Sequence, residues 1–321
     1  MSGSPRILLL RRDNIGDLVC TTPLIAALRE RLPRAWLGAL VTTYNAAVLA
    51  GNPALDEVFV YEKLKHRSGS LLSHLRTRLG QMSRLRRQNL DCVLVPAPAP
   101  QALKLARGLK PQRVIASPTS FPSRLHEVER VFELGRSFGL TGKPGALQLY
   151  ADLEKRAALQ KQLGAGPFVA MHISARRPAQ RWPLERYAAL AAQLGREASV
   201  LLLWAPGAKD NPRHPGDDEA AAEVLRGAPA AVPVPTPDLA TLIAVLSLAD
   251  RVICPDGGAM HLAAALGKPV VALFGDSPVE RWRPWGVPYQ VVRPVSRDLA
   301  DLPLQDVLDA FVALKAQTLQ S

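Results

Sequence analysis

Apolar residues in this chain come in short unbroken runs rather than in strict alternation. "RILLL" (6–10), "WLGALVT" (36–42), "EVFVY" (57–61), "DCVLVPA" (91–97) and "RVIAS" (113–117) are short and nearly continuous in their apolar character. Runs of this kind predict strands buried on both faces. Between them the apolar spacing changes to three and four, which predicts helices over 18–32, about 44–50, about 69–88, 101–108 and 124–139. A polar, helix-prone stretch at 152–164 follows, and then the rhythm starts again. Strands are predicted at "FVAMHI" (168–173), "SVLLLWA" (199–205), "AAVPVP" (230–235), "RVICP" (251–255) and "PVVALFG" (269–275). Helices at 184–196, 217–227, 238–248 and 259–267 separate them, and "PLQDVLDAFVALKAQTL" closes the chain as an amphipathic helix.

Strands alternating with helices imply α/β architecture with parallel sheets. The restart near residue 165 implies two doubly wound halves with a cleft between them. Ligands of such sheets bind beyond the carboxyl ends of the strands, so the strand-to-helix turns are the places to search. A length of 321 residues agrees with two domains.

Composition narrows the class. With 48% hydrophobic residues and no low-complexity tract, the chain reads as an ordered globular protein. No apolar run reaches the ~18 residues of a membrane span, and the N-terminal stretch lacks the pattern of a signal peptide. Cys20, Cys92 and Cys254 are too few and too scattered for a disulfide framework or a zinc site. Buried free thiols in a reducing compartment, the cytoplasm, are expected. The net charge of +12 is uneven: residues 1–160 hold 24 Lys/Arg against 12 Asp/Glu, and residues 161–321 hold 16 of each. The first half is therefore expected to meet an anionic partner.

Four stretches carry candidate chemistry. In "RRDNIGD", Asp17 follows Gly16 after the first strand and opens a helix; it is either a capping residue or a general base held at the cleft. Asp13 is a second carboxylate in the same loop, within reach of Arg11 or Arg12. One glycine there, where G-x-G-x-x-G needs three, argues against a nicotinamide site. In "CPDGGAMH", Gly257 and Gly258 open backbone N–H groups at the start of a helix, with His261 one turn on; this is either a plain glycine turn or a phosphate site. In "HISARRPAQRWP", Ser174, Arg176, Arg177 and Arg181 either gather donors suited to phosphate oxygens or form a solvated basic loop. Asp217, Asp218 and Glu219 either cap the next helix or bind a ribose hydroxyl. The fourth stretch, residues 63–88, has eight Lys/Arg, among them Arg84, Arg86 and Arg87, and no acid. With leucines at helical spacing it reads as a basic amphipathic helix, suited to an anionic lipid surface or simply solvated. Few aromatics interleave with these basic residues, so nucleic acid is not expected as a partner.

The segments "ILLLRRDNIGDLVCTTPLIAALRERLP", "GNPALDEVFVY", "HEVERVFELGRSFGL", "QRWPLERYAALA", "DGGAMHLAAALGKPVVALFG" and "SPVERWRPWG" together resemble glycosyltransferase family 9, the ADP-heptose:lipopolysaccharide heptosyltransferases. The resemblance covers nearly the whole chain. It implies the GT-B fold, two Rossmann-like domains facing across a cleft. Residues 1–160 would bind the acceptor and residues 161–302 the nucleotide sugar, with 303–321 crossing back as a helix to the first domain. It implies inverting transfer without a metal or other cofactor, from an ADP-sugar to an anionic lipopolysaccharide core, at the inner face of the inner membrane. Asp17 falls on the family's catalytic base, and Asp256, Gly257, Gly258 and His261 fall on its nucleotide motif. Ser174, Arg176, Arg181 and Asp217 are then expected on the donor, and Asp13, Arg84, Arg86 and Arg87 on the acceptor. Two positions depart from the family pattern. Gly257 stands where a Ser or Thr is usual. Gln180 stands for a lysine whose charge Arg181 or Arg176 would supply. A different nucleotide sugar, or a nonenzymatic nucleotide-binding role, is the alternative.

Overall fold

The computed structural model describes residues 4–61, 80–211 and 215–319. The chain divides between Gly145 and Ala146 into two compact units. The first holds β1 (Arg6–Leu10), β2 (Trp36–Thr42), β3 (Glu57–Tyr61), β4 (Cys92–Val95) and β5 (Arg113–Ala116) in one sheet. Their order is β3-β2-β1-β4-β5, and every pairing is parallel. Helices cover both faces of such a sheet, which is why the consecutive residues Ile7, Leu8, Leu9 and Leu10 are all buried and the strand sequences do not alternate. The chain starts in mid-sheet, builds outward to β3, and returns to the far side of β1. The topological switch therefore lies between β1 and β4.

The helix expected over 18–32 is two helices, Ile15–Val19 and Thr22–Arg31. Thr21 Oγ1 donates to the Asp17 carbonyl (2.8 Å) and Thr22 Oγ1 to the Val19 carbonyl (2.7 Å). These hydroxyls compete for main-chain acceptors, and Pro23, which has no N–H, begins the new helix. The stretch at 124–139 likewise resolves into a helix, Glu127–Phe132, and a 3-10 segment, Glu133–Phe138. Of the basic stretch 63–88, residues 80–87 are helical, while Lys63, Lys65, Arg67, Arg76 and Arg78 lie outside the described residues. Among the described residues no helix is long and apolar enough to cross a membrane.

The second unit holds β6 (Phe168–His172), β7 (Ser199–Trp204), β8 (Val232–Pro235), β9 (Arg251–Pro255), β10 (Val270–Leu273) and β11 (Tyr289–Val292). The order is β11-β10-β9-β6-β7-β8, again all parallel, with the switch between β6 and β9. Strand β11 is absent from the sequence expectations because it is a four-residue edge strand, mostly half-buried, between Pro288 and Pro294. Helix Leu153–Leu163 packs along Leu239–Leu248 and ties to it through Lys155 Nζ and Thr241 Oγ1 (3.1 Å), so it belongs to the second unit. The closing helix Leu304–Leu319 was expected to return to the first unit. Its buried residues Val307, Phe311 and Leu314 join Trp182, Val271 and Leu273 in the core of the second.

Candidate active site

In the first unit the chemistry gathers where β1 ends at the switch point. Asn14, in extended conformation, caps helix Ile15–Val19, and Asp17 is the third residue of that helix rather than its cap. Asp17 Oδ2 accepts from Asn14 Nδ2 (2.9 Å) and from the Asn14 main-chain N–H (3.3 Å). Such a reciprocal box satisfies donors that a helix start leaves open. The other oxygen, Oδ1, accepts from Arg11 Nη2 at 2.9 Å. Arg11 is 1% exposed, and the same Nη2 donates to Glu127 Oε1 at 2.8 Å. Its Nε lies 3.0 Å from Asp13 Oδ1 without hydrogen-bond geometry.

Three carboxylates thus surround one guanidinium. Burial works against the charge of Arg11, but Asp13, Asp17 and Glu127 outweigh it and raise its pKa. Burial pushes the Asp13 carboxyl up to about 6; Arg11 opposes this, and Asp17 and Glu127 add to it. The sequence expectation paired Asp13 with an arginine of the loop and placed Asp17 beside it. It did not include Glu127, which arrives from 116 positions along the chain. No local periodicity marks such a residue.

In the second unit the loops after β6 and β9 meet, as the switch point requires. Asp256 is buried, and its Oδ2 accepts from Gln180 Nε2 at 3.0 Å. Arg177 Nη2 lies 4.0 Å from the same oxygen, while Arg177 Nη1 pairs with Asp276 Oδ1 at 3.1 Å. Ser277 Oγ bonds Arg177 Nη2. Burial raises the Asp256 pKa, against the hydrogen bonds of Ser277 and Gln180 and the charge of Arg177.

Gly257 is extended and caps helix Gly258–Ala265. The first N–H groups of that helix, Gly258 among them, have no carbonyl of their own turn to meet. His261 is buried one turn in, edge-on to the Trp282 ring at 5.9 Å. Gly275 sits so close to the 178–180 turn that a Cβ would stand 2.3 Å from the Ala179 carbonyl oxygen. That approach seats Gln180 over Asp256.

The remaining expected residues separate into groups. Arg181 Nη1 pairs with Asp217 Oδ1 at 2.8 Å, so Asp217 turns its carboxylate to an arginine and does not cap its helix. Arg177 stands beside Asp256 where Arg181 or Arg176 was expected to supply the missing lysine's charge; Arg176 is exposed on the same loop. Ser174 Oγ accepts from the Ala205 N–H at 2.9 Å. Burial lowers the His172 pKa to about 4, with Asp217 opposing, so this imidazole is neutral near pH 7.

Arg84, Arg86 and Arg87 are not brought to Asp17. Arg84 pairs with Glu57, the first residue of β3, and lies over the Phe59 ring; Arg86 Nε donates to the Gly108 carbonyl at 2.9 Å. A crossover helix between parallel strands must end near the amino edge of the sheet, and these arginines occupy its last turn. Asp17 sits at the carboxyl edge.

Two Rossmann-like parallel units, each with its polar loops at the switch point, define the GT-B class of glycosyltransferase fold. The model of glycosyltransferase family 9 (heptosyltransferase) matches residues 113–309, and the chain belongs to that family. It is a heptosyltransferase-like glycosyltransferase. It is 23% identical over 328 residues to lipopolysaccharide heptosyltransferase 1 of Escherichia coli, covering 96% of this chain and 100% of that protein. A match at 30% identity to lipooligosaccharide heptosyltransferase 2 of Haemophilus influenzae spans 46% of this chain and 41% of the relative. Among solved structures, a family 9 glycosyl transferase from Veillonella parvula superposes with a TM-score of 0.83 at 19% identity, covering 98% and 97% of the two chains. Escherichia coli heptosyltransferase WaaC with ADP gives 0.76 at 18% identity, covering 96% and 99%.

Proposed function

We propose that this protein transfers a heptose from ADP-heptose to an anionic acceptor of the lipopolysaccharide inner core, with inversion and with Asp17 as general base. The observation that carries the reading is the Asp17 carboxylate, held by Arg11 and Asn14 at the carboxyl end of β1 in a family 9 chain. A carboxylate offers about four lone-pair sites. Asp17 uses one on Oδ1 and two on Oδ2, so Oδ1 keeps one for an acceptor hydroxyl. As that proton passes to Asp17, the hydroxyl oxygen attacks the anomeric carbon from the face opposite the leaving group. The bond from that carbon to the diphosphate breaks, and ADP departs with the electron pair.

The charge that builds on the diphosphate needs donors already in place. The open N–H groups at Gly257 and Gly258, with His261 and Arg177, are the groups proposed to meet it, so that no metal is required. The relatives are named lipopolysaccharide heptosyltransferases, and a solved WaaC complex holds ADP-2-deoxy-2-fluoro heptose. The excess basic charge of the first half suits a phosphorylated or acidic acceptor presented at the inner membrane surface.

The test is heptose transfer by wild type and Asp17→Asn, with and without EDTA. Turnover should fall by ~100-fold or more in the variant, with the donor KM nearly unchanged and EDTA without effect. A variant within a few-fold of wild type would assign the base elsewhere, with Asp13 the next carboxylate in line.

A further inference from the structure

We propose that Glu127 is a positioning residue for the catalytic carboxylate, acting through Arg11; this rests on Asp17 being the base. One nitrogen, Arg11 Nη2, donates to both Asp17 Oδ1 (2.9 Å) and Glu127 Oε1 (2.8 Å). The line from Glu127 through the guanidinium to Asp17 is short, and all three side chains are largely withdrawn from solvent, at 6%, 1% and 12% exposure. Glu127 stands at the start of its own helix, whose entry is fixed independently. His126 Nδ1 accepts from the Val128 N–H at 3.1 Å, and Glu129 Oε2 accepts from the His126 N–H at 2.9 Å. The strut is therefore anchored on an element remote in sequence from the loop it supports.

Stability alone does not explain this arrangement. A buried ion cluster is often no better for folding than well-packed apolar residues of the same volume, because removing the charges from water is costly. Placing three carboxylates on one buried arginine adds mutual repulsion to that cost. What the cluster provides is a fixed direction. With Oδ2 held by Asn14 and Oδ1 held by Arg11, the carboxylate plane is set, and the lone pair left on Oδ1 points one way. Arg11 needs its own restraint to do this, since a guanidinium on a long stem otherwise has many rotamers. Glu127 supplies it from one side, and the ion contact with Asp13 (3.0 Å) from another.

The test is a double-mutant cycle of Glu127→Gln and Asp17→Asn, read in two ways. Glutamine keeps the shape and one acceptor oxygen, so the variant is mild. In the wild-type background Glu127→Gln should lower kcat on the order of tenfold, with KM for both substrates unchanged. In the Asp17→Asn background it should add less than about twofold, because the group it positions is gone. The same fold-loss in both backgrounds, or none in either, overturns the proposal. Thermal unfolding of the four proteins gives a readout without turnover: non-additive melting shifts support the strut, and additive shifts overturn it. Wild type that transfers no heptose, with coupled melting shifts, would overturn the proposed function and leave the strut standing.

Discussion

The Asp13 carboxyl shows how far one side chain departs from what its sequence neighbourhood suggests. The sequence places it in a polar loop within reach of Arg11 or Arg12 and says nothing of burial. In the fold β1 delivers Arg11 straight into the core, at 1% exposure. Burial holds Asp13 at about 6 from an ordinary 3.8, so the folded protein binds that proton more tightly than the unfolded chain. The stabilising contribution is complete below about pH 4 and is lost as pH rises through 6. Asp13→Asn removes this dependence. Relative to wild type, its urea midpoint should rise between pH 4 and pH 7, by at most about 3 kcal/mol in free energy. A difference between the two proteins that stays constant across that window would show Asp13 titrating as it does in the unfolded chain. The glycine start of helix Gly258–Ala265, with His261 one turn on, is legible from "DGGAMH" because a glycine turn before a helix has a local signature. The contacts of Glu127 with Arg11 and of Arg177 with Asp256 are not, because each joins partners far apart in sequence.

At the level of elements, most strands stand where the apolar runs put them, since a strand buried on both faces writes itself into the sequence. The pattern fails where hydroxyls and prolines intervene, at Thr21–Pro23, and at edge strand β11, which buries too little to produce a run. Loop-to-loop packing is the other unwritten layer. Gly275 admits the 178–180 turn, so Gly275→Ala must displace either the Ala179 carbonyl or β10's exit, at a cost of roughly 1–3 kcal/mol. The same variant should weaken nucleotide binding, because Gln180 moves with that turn. Gly257 makes the opposite case. Its backbone is extended, and the nearest atom to an added Cβ is the Pro255 carbonyl oxygen at 4.0 Å. Gly257→Ser should therefore melt within about 0.5 kcal/mol of wild type. Calorimetry on the two variants side by side separates the readings; equal losses would mean that local space does not decide tolerance here.

For the whole molecule, the repeat of the α/β rhythm makes the two-unit plan visible before any coordinates, whereas the attachment of the last helix does not show. Amphipathicity marks residues 303–319 as a helix with one buried face but is silent on which core receives it; Val307, Phe311 and Leu314 go to the second. The donor prediction also belongs at this scale. Among ADP, UDP, GDP and NAD at equal saturating concentration, ADP alone should raise the melting temperature, insensitive to EDTA. At ~100 times its Kd it would add about 2.7 kcal/mol of apparent stability. A shift with UDP or GDP in its place would keep the fold and replace the donor. The Arg11 strut has a further consequence, one of timing. Chains are made from the N-terminus, and domains fold as units during synthesis. Arg11, Asp13 and Asp17 leave the ribosome early, and Glu127 follows more than a hundred residues later. A nascent chain therefore carries Arg11 and Asp17 without Glu127 for most of the first unit's synthesis. The cluster of three carboxylates around Arg11 closes only when that unit is nearly complete.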